Sequence, residues 1–397
     1  MSRPVKIAEA DISVKDLVIH NEGRYGSAYV LLRSGKEVMR MVRIPFSNGL
    51  IDREQLIKAG RHQISYKLVL EDLKHYTAIP CRKDSVDIPI SVVVCTRNRT
   101  DLLRHCLEAL KKLDHPQFEI LIVDNAPDND DTKKLTEEFG VRYVREDKPG
   151  LDRARNRGIR ESSHQIIAFT DDDARPDRNW LRAIAANFND EQVVAVTGFV
   201  APAELETHAQ QLFEWSYGGM GHGFSKKTFD GKTMSSRWKL AASGFGVGAN
   251  MAFRKNWFDK AGYFDTALDV GTPSSGGGDI EMFHRVVANN GVLVYDPNVL
   301  VWHLHRPGMG ALKKQVFNNG RSFVCYLFTC YRNKTARAGT LLAFFLRDWL
   351  LNWHIKNIFF GGGRVSRRLL LTELNGMLTG AGAYFKSRRS AQRLDQE

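Results

Sequence analysis

Three consecutive carboxylates follow an apolar stretch near the middle of the chain. Asp171, Asp172 and Asp173 come directly after the run 166–170, which has the composition of a buried strand. Hard oxygen ligands of this kind suit Mg²⁺ or Mn²⁺, and a cation held by them can also bind a diphosphate. The alternative is a solvated turn in which an aspartate caps the next helix. The triplet by itself is compatible with either structure.

A second acidic group follows a glycine-rich stretch, GGGDIEMFHR, at residues 276–285. Asp279 and Glu281 fall at the start of a predicted helix, where the helix dipole favours negative charge. One of these carboxylates could act as a base that deprotonates a hydroxyl group, with Arg285 orienting it. The same pattern is also typical of an ordinary helix start with an acid in its first turn.

Two further motifs carry side chains that could bind a metal or a phosphate. The strand VWHLHR places His303 and His305 on one face, because alternate residues of a strand point the same way. The segment GLDRARNRGI puts Arg153, Arg155 and Arg157 at the opening of a helix, where a diphosphate could bind. A packed histidine and a solvated basic face are the corresponding alternatives.

The elements that must position these groups alternate between strand and helix. IPISVVVC is a nearly continuous β-branched run, typical of a buried parallel strand, and it begins a new domain. Helices are predicted at about 100–113, after 131, at 152–162 and at 177–188, and strands at FEILIVD, VRYV, QIIAFT and VVAVTG. This alternation predicts an α/β fold with a doubly wound, mostly parallel sheet flanked by helices. Its ligand site is expected at the carboxyl ends of the strands, where the polar motifs fall.

We divide the chain into three parts on the same grounds. Residues 1–86 are expected to form a small β-rich accessory module, with strands at Ala28–Leu32 and Val38–Ile44. Residues 87–310 form the catalytic domain. Within it, the polar and aromatic stretch 201–243 is predicted to be an irregular substrate-binding segment. Residues 311–397 form a basic helical extension.

Composition excludes several classes of protein. With 43% hydrophobic and 26% charged residues, the chain is neither disordered nor a disulfide scaffold. Its five cysteines are far apart, which indicates reduced thiols in a cytoplasmic protein. The first residues lack the apolar core of a signal peptide, and charged residues interrupt the best apolar run, 338–360, so no membrane-spanning helix is expected.

The net charge of +12 is concentrated in the extension. From Arg332 onward, twelve basic and four acidic residues account for +8 of it. We predict that this part docks on an anionic membrane surface; packing on the catalytic domain or on a second subunit is the alternative. The predicted apolar face consists of Leu342, Leu346, Trp349, Leu350 and Trp353, and the predicted headgroup ligands are Arg364, Arg367, Arg368, Lys386, Arg388 and Arg389. Nucleic acid is not expected as a partner, because no strand has the aromatic and basic pattern of an RNA-binding sheet.

In combination these motifs resemble those of the family 2 glycosyltransferases, which have the GT-A fold. The resemblance covers about residues 90–306, through SVVVCTRNR, VDNAPD, GLDRARNRGI, FTDDDARPD, GFGVGANMAFRK, GGGDIEMFHR and VWHLHR in family order. It implies an inverting, metal-dependent hexosyl- or related transferase. The expected donor is a nucleotide sugar, in particular a UDP-sugar, and the acceptor is a glycan or lipid-linked saccharide. The two extensions are similar to those of a bacterial polysaccharide-assembly subset, and a homodimer is compatible with the sequence.

The resemblance also implies roles for individual residues. The residues expected to bind the donor are Thr96, Arg97, Arg99, Asp124, Arg153, Arg155, Asp171, Asp172 and Asn250. Those expected to hold Mg²⁺ or Mn²⁺ are Asp171, Asp173 and His303. Asp279 is the expected base, with Arg285 in the same motif. Gly278 stands where the family has an acid and Glu281 where it has an aspartate, so Glu281 remains the alternative base. A nucleotidyltransferase acting on sugar phosphates is the nearest rival, although it would not need this second acidic motif.

Overall fold

The computed structural model describes residues 3–61, 87–361 and 365–396. One of the five cysteines, Cys81, and the predicted headgroup ligand Arg364 lie outside these residues. The four described cysteines are free thiols, and three of them are buried. Within the described ranges, no helix combines the length and the apolar character needed to cross a membrane.

The N-terminal residues form a small β structure packed against the central sheet. Its strands are β1 (Val5–Asp11), β2 (Val18–His20), β3 (Ser27–Ser34), β4 (Glu37–Pro45) and β5 (Leu50–Asp52), followed by a helix α1 over residues 53–61. β3 and β4 contain the two predicted strands, and β3 pairs antiparallel with β4 and parallel with β1. Leu31 and Val38 share an apolar cluster with Phe199 and Tyr295 of the central sheet, and Arg33 forms an ion pair with Asp177.

A nine-stranded mixed sheet forms the centre of the molecule. Its strands are β6 (Ile90–Thr96), β7 (Phe118–Asn125), β8 (Arg142–Glu146), β9 (Ile166–Asp171), β10 (Ala174–Pro176), β11 (Val193–Pro202), β12 (Lys227–Asp230), β13 (Asn250–Arg254) and β14 (Val292–His303). Their order is β10-β14-β11-β13-β9-β6-β7-β8, with β12 paired to β14. The strands β8-β7-β6-β9 run parallel, and β13 lies antiparallel between β9 and β11.

Helices cover both faces of this sheet, as the prediction of a doubly wound fold requires. They are α2 (Thr100–Leu110), α3 (Asp131–Phe139), α4 (Leu151–Glu161), α5 (Trp180–Phe188), α6 (His208–Ser216), α7 (Ser236–Lys239), α8 (Lys255–Ala261) and α9 (Gly278–Ala288). Alternate residues of β6 serve the two layers: Val92 packs in a cluster with Leu107 of α2, and Val93 in another with Ile159 of α4. The predicted α/β class is confirmed.

The segment 201–243 is more regular than its composition predicts. It contains α6, β12 and α7, so its interpretation as an irregular loop is wrong in this respect. The side chain of Thr207 accepts a hydrogen bond from the backbone of Gln210, and the Gln210 side chain accepts one from the backbone of Thr207. This capping box is a helix start signal that the sequence contains.

The C-terminal extension is helical, as predicted, but its apolar face differs. It consists of α10 (Met309–Arg332), α11 (Ala338–Ala343), a π-helical segment (Phe344–Ile355), α12 (Lys356–Phe360), α13 (Arg367–Leu378) and α14 (Gly380–Gln396). Trp349 stacks on Phe323 of α10 at 4.6 Å between ring centroids, and Trp353 donates a hydrogen bond to Glu373 at 3.3 Å. These two tryptophans therefore pack within the extension and do not face outward.

Candidate active site

The ends of three strands bring the first group of predicted residues together. Thr96 ends β6, Asp171 ends β9, and His303 ends β14. Asp171 is the register partner of Cys95, and Ala174 of β10 is the partner of His303. The hydroxyl of Thr96 donates a hydrogen bond to Asp172 at 2.8 Å. The aspartate triplet therefore lies at the carboxyl edge of the sheet, where the sequence predicted a ligand site.

Asp171, Asp173 and His303 form a group with the geometry of metal ligands. One ligand atom from each lies within 4.8 Å of the other two. His303 Nε2 is 3.1 Å from Asp173 Oδ1, while the buried His303 Nδ1 has no hydrogen-bond partner among the described residues. Two carboxylates and one imidazole, already close together, fit a divalent cation with positions left open for a substrate.

Arg99 balances the negative charge of Asp172 and Asp173. Its guanidinium contacts Asp172 at 2.7 Å and Asp173 at 2.6 Å. Burial raises the pKa of Asp172 to about 7, although Arg99 opposes the shift. Burial also acts to raise the pKa of Asp173, but the hydrogen bond and charge of His303, together with Arg99, hold it well below its usual value. Arg99, expected to hold the nucleotide base, thus binds the aspartates in this structure.

The other residues predicted to bind the nucleotide lie along the same edge. Asp124 lies near the carboxyl end of β7. It is fully buried and accepts a hydrogen bond from the Tyr143 hydroxyl at 3.1 Å. Burial raises the pKa of the Asp124 carboxyl. Arg97 is exposed in the turn after β6. The edge therefore carries one buried acid and one exposed cation beside the aspartate triplet.

Asp279 faces this group from the start of α9. It is partly exposed, and its Oδ2 accepts a hydrogen bond from the backbone N–H of Gly248 at 2.8 Å. Arg155 lies beside the metal ligands: its Nη2 is 4.0 Å from Asp171 Oδ1. A Cβ atom at Gly248 would lie 2.6 Å from Arg155 Nη2 and 3.0 Å from Asp279 Oδ2. A glycine at position 248 is therefore required for Arg155 and Asp279 to approach the backbone this closely. The sequence pattern did not indicate this role.

Glu281, the alternative base, has a different environment. Its side chain is fully buried and forms an ion pair with Arg285 one turn later. Arg285 Nη1 also donates to the carbonyl oxygens of Ala261, Gly262 and Tyr263, at 3.1, 2.9 and 2.8 Å. The pair fastens α9 to the loop after α8 and leaves the Glu281 carboxylate without access to a substrate.

We predict that Glu281→Gln destabilises the fold more than it slows catalysis. Removing one partner of a buried ion pair leaves an uncompensated charge and costs about 3–5 kcal/mol in the free energy of unfolding. Chemical denaturation should show this loss, while kcat measured at low temperature should stay near that of the wild type. Native stability combined with absent turnover would instead make Glu281 the base.

Two predicted donor-binding residues are not brought to the site. Asn250 is fully buried: its Oδ1 accepts from Trp180 Nε1 at 2.9 Å, and its Nδ2 donates to the carbonyl oxygens of Val299 and Phe199 at 2.7 and 3.0 Å. All its polar atoms are thus used in the interior. Arg153 pairs with Asp395 of α14 at 2.8 Å. In this structure the polar atoms of both side chains are thus bound by protein groups.

The start of α4 is also occupied by a protein carboxylate. Asp269 Oδ1 accepts a hydrogen bond from the backbone N–H of Asp152 at 2.9 Å. An anion at a helix N-terminus is favourable, and here Asp269 takes the place predicted for a diphosphate. His305 lies two residues beyond the end of β14, contacts Glu214 at 3.1 Å and packs against Phe213, so it is a packed histidine.

The sequence is similar to those of known glycosyltransferases. The model of glycosyl transferase family 2 matches residues 91–262. The glycosyltransferase AglE of Haloferax volcanii is 26% identical over 235 residues, which cover 57% of this chain and 70% of AglE. The hyaluronan synthase of Pasteurella multocida is 24% identical over 247 residues, 56% of this chain but only 25% of the synthase.

A solved structure shares the fold. It is the mannosyltransferase PcManGT from Pyrobaculum calidifontis, in complex with GDP-Man and Mn²⁺. The superposition has a TM-score of 0.50 and covers 79% of this chain and 94% of the mannosyltransferase, at 15% sequence identity. Such a low identity shows a common fold and nothing more specific. Residues 91–262 are therefore similar to the family 2 glycosyltransferases, and the sheet to which their strands belong has the GT-A fold.

Proposed function

We propose that the protein is an inverting glycosyltransferase that requires a divalent cation. The donor would be a nucleotide sugar, in particular a UDP-sugar, and the acceptor a hydroxyl group of a glycan or lipid-linked saccharide. One observation carries the proposal: Arg155 Nη2 lies 4.0 Å from Asp171 of the ligand group, and the same nitrogen lies close to Gly248, whose backbone N–H binds Asp279. A metal site for the leaving diphosphate and a carboxylate base for the acceptor therefore lie close enough to act on one sugar.

The donor side follows from the charges around the triplet. Asp171, Asp173 and His303 would hold Mg²⁺ or Mn²⁺, which when bound stabilises the negative charge of a departing nucleoside diphosphate. The guanidinium of Arg155 adds positive charge beside Asp171. Arg97, exposed at the rim, could contact a phosphate or the base of the donor.

The acceptor side depends on Asp279. The Gly248 N–H fixes one carboxylate oxygen, so the side chain has a defined direction and remains partly exposed. As the acceptor hydroxyl attacks, Asp279 would take its proton, which makes the oxygen a competent nucleophile. Attack from the side opposite the diphosphate inverts the anomeric carbon.

Product analysis tests this proposal directly. We expect incubation with a panel of nucleotide sugars and Mn²⁺ to release nucleoside diphosphate, and mass spectrometry to detect a glycosylated acceptor of inverted configuration. Release of pyrophosphate would instead favour a nucleotidyltransferase. Salt-sensitive RNA binding without turnover of any nucleotide sugar would favour a nucleic-acid-binding protein.

The extension supports a working position at the anionic inner surface of the cytoplasmic membrane. Its three described acids turn toward internal partners: Asp348 contacts Arg237 at 3.2 Å, Glu373 contacts His354 at 3.2 Å, and Asp395 contacts Arg153. From Arg332 onward, ten basic residues are exposed and form no ion pair among the described residues: Arg332, Lys334, Arg337, Arg347, Lys356, Arg367, Arg368, Lys386, Arg389 and Arg393. Arg388 leaves the predicted set because it pairs with Asp265.

Apolar surface accompanies these cations. A groove of about 510 Å³ between α10, α11 and α13 is lined almost wholly by apolar side chains, among them Leu327, Phe328, Leu342 and Leu378. Leu342 is 59% and Leu378 79% exposed. An exposed apolar groove and unpaired cations on the same extension are complementary to an anionic bilayer, which offers both hydrocarbon and phosphate.

We predict that Arg332→Gln with Arg337→Gln weakens binding to anionic vesicles about 30-fold. Each basic residue near the surface contributes about 1 kcal/mol. Flotation with phosphatidylglycerol and with phosphatidylcholine vesicles, at low and high salt, measures the effect. Lys133→Gln with Lys134→Gln on α3 is the matched control and should bind like the wild type. Absence of wild-type binding to anionic vesicles, or equal binding by both double variants, would contradict membrane docking.

A further inference from the structure

We propose that Asp152 is a positioning residue, whose buried carboxyl group holds Arg155 beside the metal ligands. Asp152 is the second residue of α4 and is 1% exposed. Its backbone N–H is fixed by Asp269, so the first turn of α4 cannot shift without breaking that contact. The proposal rests on the function proposed above and adds a residue that does not touch donor, acceptor or cation.

The first observation is steric and concerns Gly278. A Cβ atom at this position would overlap Asp152 Oδ2. The backbone at Gly278 is an ordinary helical one without positive φ, so its glycine is explained by space and not by conformation. The carboxyl group of Asp152 thus fills the volume that a side chain at position 278 would need.

The second observation is the contact with Arg155. Arg155 Nη1 donates a hydrogen bond to Asp152 Oδ1 at 2.9 Å, and its side chain is only 7% exposed. The guanidinium also lies over the ring of Phe264, 5.5 Å from its centroid. One end of the guanidinium is thereby fixed, and the other, Nη2, points at Asp171 and at the turn where Gly248 binds Asp279.

This arrangement gives Asp152 a definite task. Without it, Arg155 would be free to move toward the remaining carboxylates, of which Asp171 is 4.0 Å away. An ion pair between Arg155 and Asp171 would compete with the cation for the Asp171 carboxylate. It would also move the positive charge of Arg155 away from Asp279. A shift of about 1 Å in a catalytic group lowers the reaction rate by a large factor. A movement of Arg155 on this scale would therefore slow catalysis.

We expect Asp152→Ala to lower kcat about tenfold, while the KM for the nucleotide sugar changes much less. A double-mutant cycle identifies the route. If Asp152 acts through Arg155, the double variant Asp152→Ala with Arg155→Gln should be no slower than Arg155→Gln alone. Asp296→Ala is the matched control, because Asp296 is also buried but contacts Asn187 at 3.0 Å, away from this group. It should lose stability and keep its rate.

An exchange variant tests the geometry. Asp152→Ala opens the space beside residue 278, so adding Gly278→Asp should return a carboxylate to Arg155 from α9 and recover most of the lost rate. Gly278→Asp alone should be unstable or inactive, since two carboxyl groups would then occupy one volume. Failure of the exchange to improve on Asp152→Ala would overturn the proposal, as would equal and independent losses in the double-mutant cycle.

Crystal structures of the variants give an answer that does not depend on turnover. Arg155 Nη1 should move toward Asp171 in Asp152→Ala and return in the exchange variant. An unmoved guanidinium in Asp152→Ala would overturn the positioning role. If the wild type transferred no sugar while Arg155 moved as expected, the proposed function would fail and the structural role of Asp152 would stand.

Discussion

Asp279→Asn should lower kcat for glycosyl transfer about 100-fold or more while leaving the affinity for the donor nearly unchanged. The amide has the size of the carboxyl group and can still accept the hydrogen bond that Gly248 donates to Oδ2. What it lacks is the capacity to take a proton from the acceptor. Steady-state release of nucleoside diphosphate and calorimetric titration with the nucleotide would separate the two effects.

The matched variant for this experiment is Glu281→Gln. It makes the same chemical change two residues later, on the same helix, at a carboxylate that is buried against Arg285. The expected pattern is slow turnover with native stability for Asp279→Asn, and near-native turnover with reduced stability for Glu281→Gln. The reverse pattern would assign the base to Glu281 and require α9 to rearrange on substrate binding.

The position of the aspartates could be predicted from the sequence because their geometry is encoded locally. A strand followed at once by acids places those acids at the carboxyl edge of a parallel sheet, whatever the rest of the chain does. His303 is different, since its position beside Asp173 depends on the antiparallel pairing of β10 with β14. Strand periodicity shows which way His303 points, but only the resemblance to a family connected it to the aspartates.

Polar residues within the matching motifs were harder to assign. Asn250 and Arg153 stand in motifs with functional neighbours, yet one satisfies buried carbonyl groups and the other anchors α14. Sequence alone does not say whether a polar side chain faces the ligand or the interior, because both environments demand hydrogen-bonding groups. The close approach of Asp152 to Gly278 could not be predicted from the sequence either, because it joins two helices that are distant in sequence.

The apolar face of the extension was misassigned for a specific reason. The prediction used an α-helical period of 3.6 residues, whereas residues 344–355 form a π-helix with i→i+5 hydrogen bonds. The wider turn changes the direction of each side chain after Phe344. Trp349 and Trp353 consequently face α10 and α13, while Leu342 and Leu346 remain exposed.

Asp173→Asn should lower kcat about 1,000-fold and abolish the response to Mn²⁺. A bound cation supplies several kcal/mol of stabilisation to the charge that develops on the leaving group. Asp173 is central to the proposed ligand group, because His303 lies 3.1 Å from one of its oxygens and Arg99 2.6 Å from the other. Replacing the carboxylate with an isosteric amide keeps the volume and removes the anionic ligand. Asp128→Asn, at an exposed acid that accepts a hydrogen bond from Asn98, is the control and should behave like the wild type.

Loss of activity alone would not assign Asp173 to a metal, because the side chain also orders Arg99. The decisive measurements are therefore Mn²⁺ binding, followed by the electron paramagnetic resonance of the free ion, and the recovery of EDTA-treated wild type on adding Mg²⁺ or Mn²⁺. A metal ligand predicts weak Mn²⁺ binding by Asp173→Asn and by His303→Ala, and normal binding by Asp128→Asn. If EDTA leaves wild-type turnover unchanged and added cations do nothing, Asp173 acts through Arg99, and the charge of the leaving diphosphate must be met by Arg99 and Arg155 instead.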